Sequence, residues 1–357
     1  MDILAVVALL LITVIWATIP LLPALSELYR PTDVDPLTMV GRDNADISRF
    51  ARHFREYVLH NLSRLPAEAS TGDYFGKLPD GTLFVRVASR PEALGKGGLP
   101  DGSFDRLVVL EHPVELGGGE QFRLELIARD TFSGGRNGVY RAILGEKTVQ
   151  LGAGSSVLRW AHGVGELTAG PDCALYGRTS SDTAIRLEAG TGFERLGAPV
   201  IVAGTGPVPE PPPTSAEGMP AFQAPGEAER LGDHLRIEGH LTIPPRTVFE
   251  GNLVVAGRLT IGTGALIRGR IKAHGEVDVE PGAAVSGALV SRSRIALGAR
   301  SWVAGPVIGE EEVELGPGAV AGVAEVPTTV SGRTVLLAAG AAVHGHVVTR
   351  EGGAVTG

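Results

Sequence analysis

From Phe249 to Val320 the chain alternates between apolar and polar positions. Odd positions carry Leu253, Val255, Leu259, Ile261, Ile267, Ile271, Val277, Val279, Leu289, Ile295, Leu297, Val303, Val307, Val313 and Leu315. Charges fall at even positions, among them Arg258, Arg268, Arg270, Lys272, Glu276, Asp278, Arg292, Arg294, Glu312 and Glu314, with Glu311 as the exception. A period of two turns one set of side chains into a core and the other into water, so this region is predicted to be strand. The strands are short, because glycines interrupt the pattern at a fixed step. LTIGTGALI, VDVEPGAAV, IALGARSWV and VELGPGAVA begin at Leu259, Val277, Ile295 and Val313, each 18 residues after the last. The same unit returns from Leu241 and Val335, and upstream from Val149, Leu167 and Ile185. A fixed period this short, holding strands and a Gly-containing corner, predicts a solenoid. Because 18 is even, the alternation keeps its phase from rung to rung. The expected fold is therefore all-β, a parallel β-helix solenoid of about ten 18-residue rungs, in one or two blocks.

Stacking puts residue i against i+18, about 4.8 Å away, so files of outward side chains can be read directly. In the file His240, Arg258, Glu276, Arg294, Glu312 the last four members alternate in sign, as favourable neighbours should. A second outward file, Leu266, Ala284, Trp302 and Val320, is wholly apolar, and Tyr140, Leu158 and Tyr176 form another. Such stripes suit either a partner or cover by another part of the chain. The first and last rungs present unpaired backbone, which marks Leu241, Phe249 and the Val335–Val343 segment as association surfaces. Leu241, Phe249, Leu266, Trp302, Val320 and Val343 are thus the candidate interaction residues.

Outside the repeats, Ile47, Phe50, Phe54, Val58 and Leu62 recur at helical spacing after Asp46, which predicts an amphipathic helix over 47–64 capped by that aspartate. Its apolar stripe is expected to pack on the domain that follows. Residues 3–26 contain no charge, long enough to suggest an uncleaved membrane anchor. Arg30, Arg42, Arg49, Arg52 and Arg55 follow the run and no Lys or Arg precedes it. The positive-inside rule then predicts a single-pass protein of the inner membrane, with its C-terminal part in the cytoplasm. The expected organisation is an anchor at 1–27, a stem and amphipathic helix at 28–72, and a β-rich region at 73–204 that ends in rungs. A Pro-rich linker or excursion at 205–230, a second run of rungs at 231–350 and a tail at 351–357 complete it. Strand-like pieces lie within 73–130, but their pairing is not readable.

Composition narrows the field. Fifty glycines and only 5% aromatic residues suit small corners and aliphatic interiors better than a compact globule. A net charge of −8 with no basic block argues against nucleic acid as a partner. A single cysteine excludes an internal disulfide framework.

The run EGNLVVAGRLTIGTGALIRGRIKAHGEVDVEPGAAVSG, within residues 235–320, resembles the bactofilin family of polymer-forming bacterial cytoskeletal proteins. The resemblance covers roughly a third of the chain. It implies a right-handed parallel β-helix that assembles end to end into nucleotide-free filaments, often membrane-attached. Unknown envelope or cytoskeletal proteins are the expected further partners, and neither a cofactor nor enzymatic activity is expected. The chain differs from that pattern by its long N-terminal half, its second repeat block and its Pro-rich interruption.

Two other readings stay open, a hexapeptide-type acyltransferase and a non-polymerising binding module. The first would need a His base between coils, for which His240 and His274 are candidates, both at outward positions. His344 and His346 supply two metal-type ligands, too few for a zinc site. Cys173 falls at an inward position, as a small core residue does. No phosphate-binding glycine loop with its lysine occurs.

Overall fold

The computed structural model describes residues 46–65, 72–88, 98–99, 101–211, 215–225, 228–231 and 234–357, together with 7, 9, 13, 16, 18 and 19. From Leu83 onward the chain winds into a parallel β-solenoid of about 14 turns. In its second half the register is the one the sequence predicts. Leu241 pairs with Leu259, Leu259 with Val277, Val277 with Ile295 and Ile295 with Val313, each a step of 18. The odd positions are buried: Leu259, Ile261, Val277, Ile295, Val313 and Leu315 are all fully enclosed. Outward charges pair along their files, with Arg258 on Glu276 at 2.5 Å and Arg294 on Glu312 at 3.1 Å. One corner needs a left-handed backbone in every rung. It is met by Gly264, Gly282 and Gly318, and by Arg246 and Arg300 with φ of 53°. No Cβ penalty attaches to the glycines, whereas the two arginines carry one of roughly 1 kcal/mol.

The first half belongs to the same solenoid, and this extends the expected ten rungs. Strand Leu83–Val87 pairs in parallel with Leu107–Leu110, then Gln121–Ala128, Val139–Gly145, Ser156–Gly163, Ala174–Ser181 and Gly192–Ala203. The step is irregular here. Phe84 faces Leu107, Val108 faces Leu126 and Leu126 faces Ile143, so steps of 23, 18 and 17 occur in succession. A 17-residue step reverses the odd–even phase. Tyr140, expected on the outward stripe with Leu158, pairs instead with Val157 at such a step, and it points inward and is fully buried. It stacks on Phe122 at 5.5 Å, and Phe122 on Phe104 at 4.8 Å, forming an internal aromatic ladder. Burial pushes the Tyr140 hydroxyl well above its ordinary value. Leu158 and Tyr176 are exposed, as the sequence predicts.

The helix Arg49–Leu62 lies on this half. Its cap is Ser48, whose N–H and hydroxyl both donate to the Asp46 carboxylate, at 2.9 and 2.6 Å. Asp46, expected as the cap itself, thus acts from two residues before it. Ala51, Val58, Phe54 and Leu62 pack on Phe84, Leu107, Val109, Ile127 and Leu144. Those strands are consequently buried on both faces.

The two halves meet C-end to C-end. The last strand of the first stack, Gly192–Ala203, runs antiparallel to Ala342–Thr356, the last strand of the second. Leu196 pairs with Val347 and Ile201 with Val343. Ala342–Thr356 pairs on its other side with Thr328–Ala338, so the ladder is continuous through the joint. The residues expected as a tail at 351–357 are strand as far as Thr356.

The connection from Ala203 back to the far end of the second stack is the Pro-rich segment. Its Ala216 and Met219 pack on Val248, Leu266 and Ala284. Phe222 donates its N–H to the Val248 carbonyl at 2.7 Å and meets the Phe249 ring edge-on at 5.8 Å. Glu229–Leu231 then pairs antiparallel with His234–Ile237.

The membrane-spanning helix expected at 3–26, and the inner-membrane placement built on it, are corrected. Among the described residues no helix is long and apolar enough to cross a membrane. Most of residues 3–26 lie outside the described residues. An uncharged run satisfies only one condition for a span. The other is an unbroken helix of roughly 20 residues, and Pro20 and Pro23 each remove a backbone donor within the run.

Candidate interaction surfaces

The six candidate residues fall in three places. Leu241 and Phe249 sit at the N-terminal end of the second stack. Phe249 is roofed by Phe222, whereas among the described residues the strand Leu241–Ile243 has a strand neighbour on one side only, Leu259–Ile261. Leu266, Trp302 and Val320 do form an outward file, paired rung to rung. It is not bare: Leu266 is buried beneath the Pro-rich segment and Val320 is fully enclosed. Trp302 is half-buried and donates its indole N–H to the Gly322 carbonyl at 3.0 Å. Val343 lies in the joint, opposite Ile201, with the whole second stack between it and Leu241.

The groups with chemical potential do not converge. The His240 ring nitrogen accepts the Arg258 N–H at 2.9 Å, and exposed His274 stands on a different file. Cys173 is buried, its thiol pushed up by burial and donated to the Gly152 carbonyl at 3.3 Å. Among the described residues no group of three or more His, Cys, Asp or Glu side chains could hold a metal ion.

One cluster escapes the sequence reading. Leu144, His162 and Ser180 follow one another at the 18-residue step on the face that carries the helix, and His162 is buried there beside residues 46–55. Its Nδ1 lies 2.9 Å from the Ser180 hydroxyl, and its Nε2 lies 3.7 Å from Asp182. The types match a nucleophile, a base and an orienter. However, the carboxylate is beyond hydrogen-bond range and the hydroxyl is buried, so the arrangement is a structural hydrogen bond. Next to it a cleft of about 470 Å³ opens between Ile47, Ser180, Asp182, Pro327 and His346. The signal was available: a polar pair in phase with Leu144 implies cover by another element.

His162 makes the docked helix sensitive to acid. Burial lowers its proton affinity, Asp182 opposes this, Arg52 and Arg55 add to the lowering, and Asp46 opposes it. With the folded value below about 6.5, the unfolded chain takes up the proton first. Stability contributed by neutral His162 is therefore full above that value and is lost as the pH falls through it. Thermal melts should show a drop between pH 7.5 and 5.5 that shrinks in His162→Gln. An unchanged slope in that variant would contradict the assignment.

Comparison with known proteins finds no matching family, no matching curated protein and no matching solved structure. What the fold defines is a class: a β-solenoid repeat protein with a helix docked on one face.

Proposed function

We propose that this chain is a structural scaffold of the bactofilin-like kind, non-enzymatic, whose copies associate end to end through their outermost rungs. The observation that carries this reading is the strand Leu241–Ile243. Leu241 donates to Arg258 and Ile243 accepts from Gly262, at 2.9 Å each. In a parallel ladder the residue between them, Thr242, then turns its N–H and C=O toward the open end. The two neighbouring edges of that rung are occupied by the chain itself, at Phe222 and at Glu229–Leu231. At the other end, Ser103–Phe104 and Val114–Glu115 also have a strand on one side only among the described residues. Unpaired strand edges are templates for another chain, and the internal joint is a precedent for rung-on-rung pairing in this sequence. The alternatives have less support. His240 and His274 stand apart on the surface, and the Trp302 file is already partly covered.

Thr242→Pro tests the reading on the full chain. Proline removes the outward donor and breaks neither of the two bonds named above. Sedimentation and negative-stain images without nucleotide should show elongated, concentration-dependent species that shorten in the variant. Monodisperse monomers over the whole range in the parent protein would overturn it.

A further inference from the structure

The sheet face that carries the helix does not end at the joint. Ala142, Trp160, Arg178, Arg195, Val348, Ser331, Ile308, Val290, Lys272 and Val254 are successive partners in one row across both stacks. The helix covers the part of this face that belongs to the first stack, from Ile47 against Gly197 to Tyr57 at the 74–87 hairpin. Beyond the joint no helix covers the same row among the described residues. Ile308 is 38% exposed, and Val254 and Val290 are partly exposed, with a groove of about 420 Å³ between Val254, Arg270, Lys272 and Val290.

Charge separates the two halves. On the covered half the helix is basic, and its Arg55 meets Glu146 at 3.2 Å. On the second half the sheet itself carries exposed cations. Arg270, Lys272 and Arg292 are exposed and make no ion pair among the described residues, although the chain as a whole is acidic. Neighbouring arginines at 258, 268 and 294 are all neutralised by glutamates.

We propose that the second half is a docking face for an amphipathic helix of a partner protein, apolar on one side and flanked by acidic residues, lying as the chain's own helix lies on the other half. Val254, Val290 and Ile308 supply the apolar seat, and Lys272 within the row, with Arg270 and Arg292, selects the sign of the ligand. The site is separate from the Leu241–Ile243 edge, so it stands or falls independently of end-to-end association.

The test uses the full chain and a fluorescent synthetic 18-residue peptide with a leucine stripe and glutamate flanks. Two controls accompany it: a scrambled peptide of identical composition, and one with lysine flanks. Anisotropy should show binding of the first peptide only. It should weaken about tenfold in Lys272→Glu and in Ile308→Asp, and stay unchanged in Thr242→Pro. Circular dichroism checks that both surface variants remain folded. Absence of binding, equal binding of the scrambled peptide, or indifference to both substitutions would overturn the proposal. Equal binding of the scrambled peptide would instead identify a general polyanion surface.

Discussion

Replacing Val347 by Asp is expected to lower stability by on the order of 4 kcal/mol and to divide one unfolding transition into two. Val347 is fully buried in the joint, between Val330 on one side and Leu196 on the other. A carboxylate there has no partner and cannot reach water without parting the two last strands. Stack proteins unfold together only as far as their interfaces couple them, so weakening this one interface should let each stack melt at its own midpoint. Urea titration followed by circular dichroism reads both effects. Asp at Leu158, which faces outward and is half-exposed, should change stability by no more than about 0.5 kcal/mol. Equal effects at the two sites would deny that the joint is a packed core.

Val58→Asp should have the second largest effect, about 3 kcal/mol, but with a different signature. Val58 is fully buried between the helix and the first stack, among Phe84, Leu107, Val109, Ile127 and Leu144. A helix of 14 residues is marginal alone, so losing its seat should melt it rather than merely free it. The sheet signal should persist while a dye for exposed apolar surface begins to bind and proteolysis within 46–65 accelerates. Loss of the entire sheet signal would mean that the helix is a condition of the solenoid rather than a cover laid on it.

These effects lie where the sequence was least readable. The second stack was legible because its step is constantly 18 and only one face of each strand is buried. Leu259, Val277 and Ile295 then repeat in phase. The first stack hides for two physical reasons. Its step varies, which moved Tyr140 from an expected outward stripe to the core. Its strands are also buried on both faces under the helix, so LVVL at 107–110 shows no alternation at all. The joint was invisible in principle. Antiparallel contact between residues 192–203 and 342–356 leaves no periodic trace, since it joins two repeats rather than continuing one. The candidate interaction residues divide accordingly. Leu241 was marked by its place at the start of a repeat, and Val343 was assigned to a free end because the partner strand that covers it cannot be read locally.

The central claim is the C-end to C-end joint, and one pair of distances tests it most directly. Spin labels at Arg195 and Arg350, both exposed, sit on strands that are direct neighbours across the joint. Labels at Arg195 and Thr242 are separated by seven rung spacings, roughly 34 Å along the axis. Double electron–electron resonance, with the buried Cys173 replaced by Ala, should return a short distance for the first pair and a long one for the second. A short distance between Arg195 and Thr242, with Arg350 remote, would mean that the second stack continues the first head to tail, and would contradict this account.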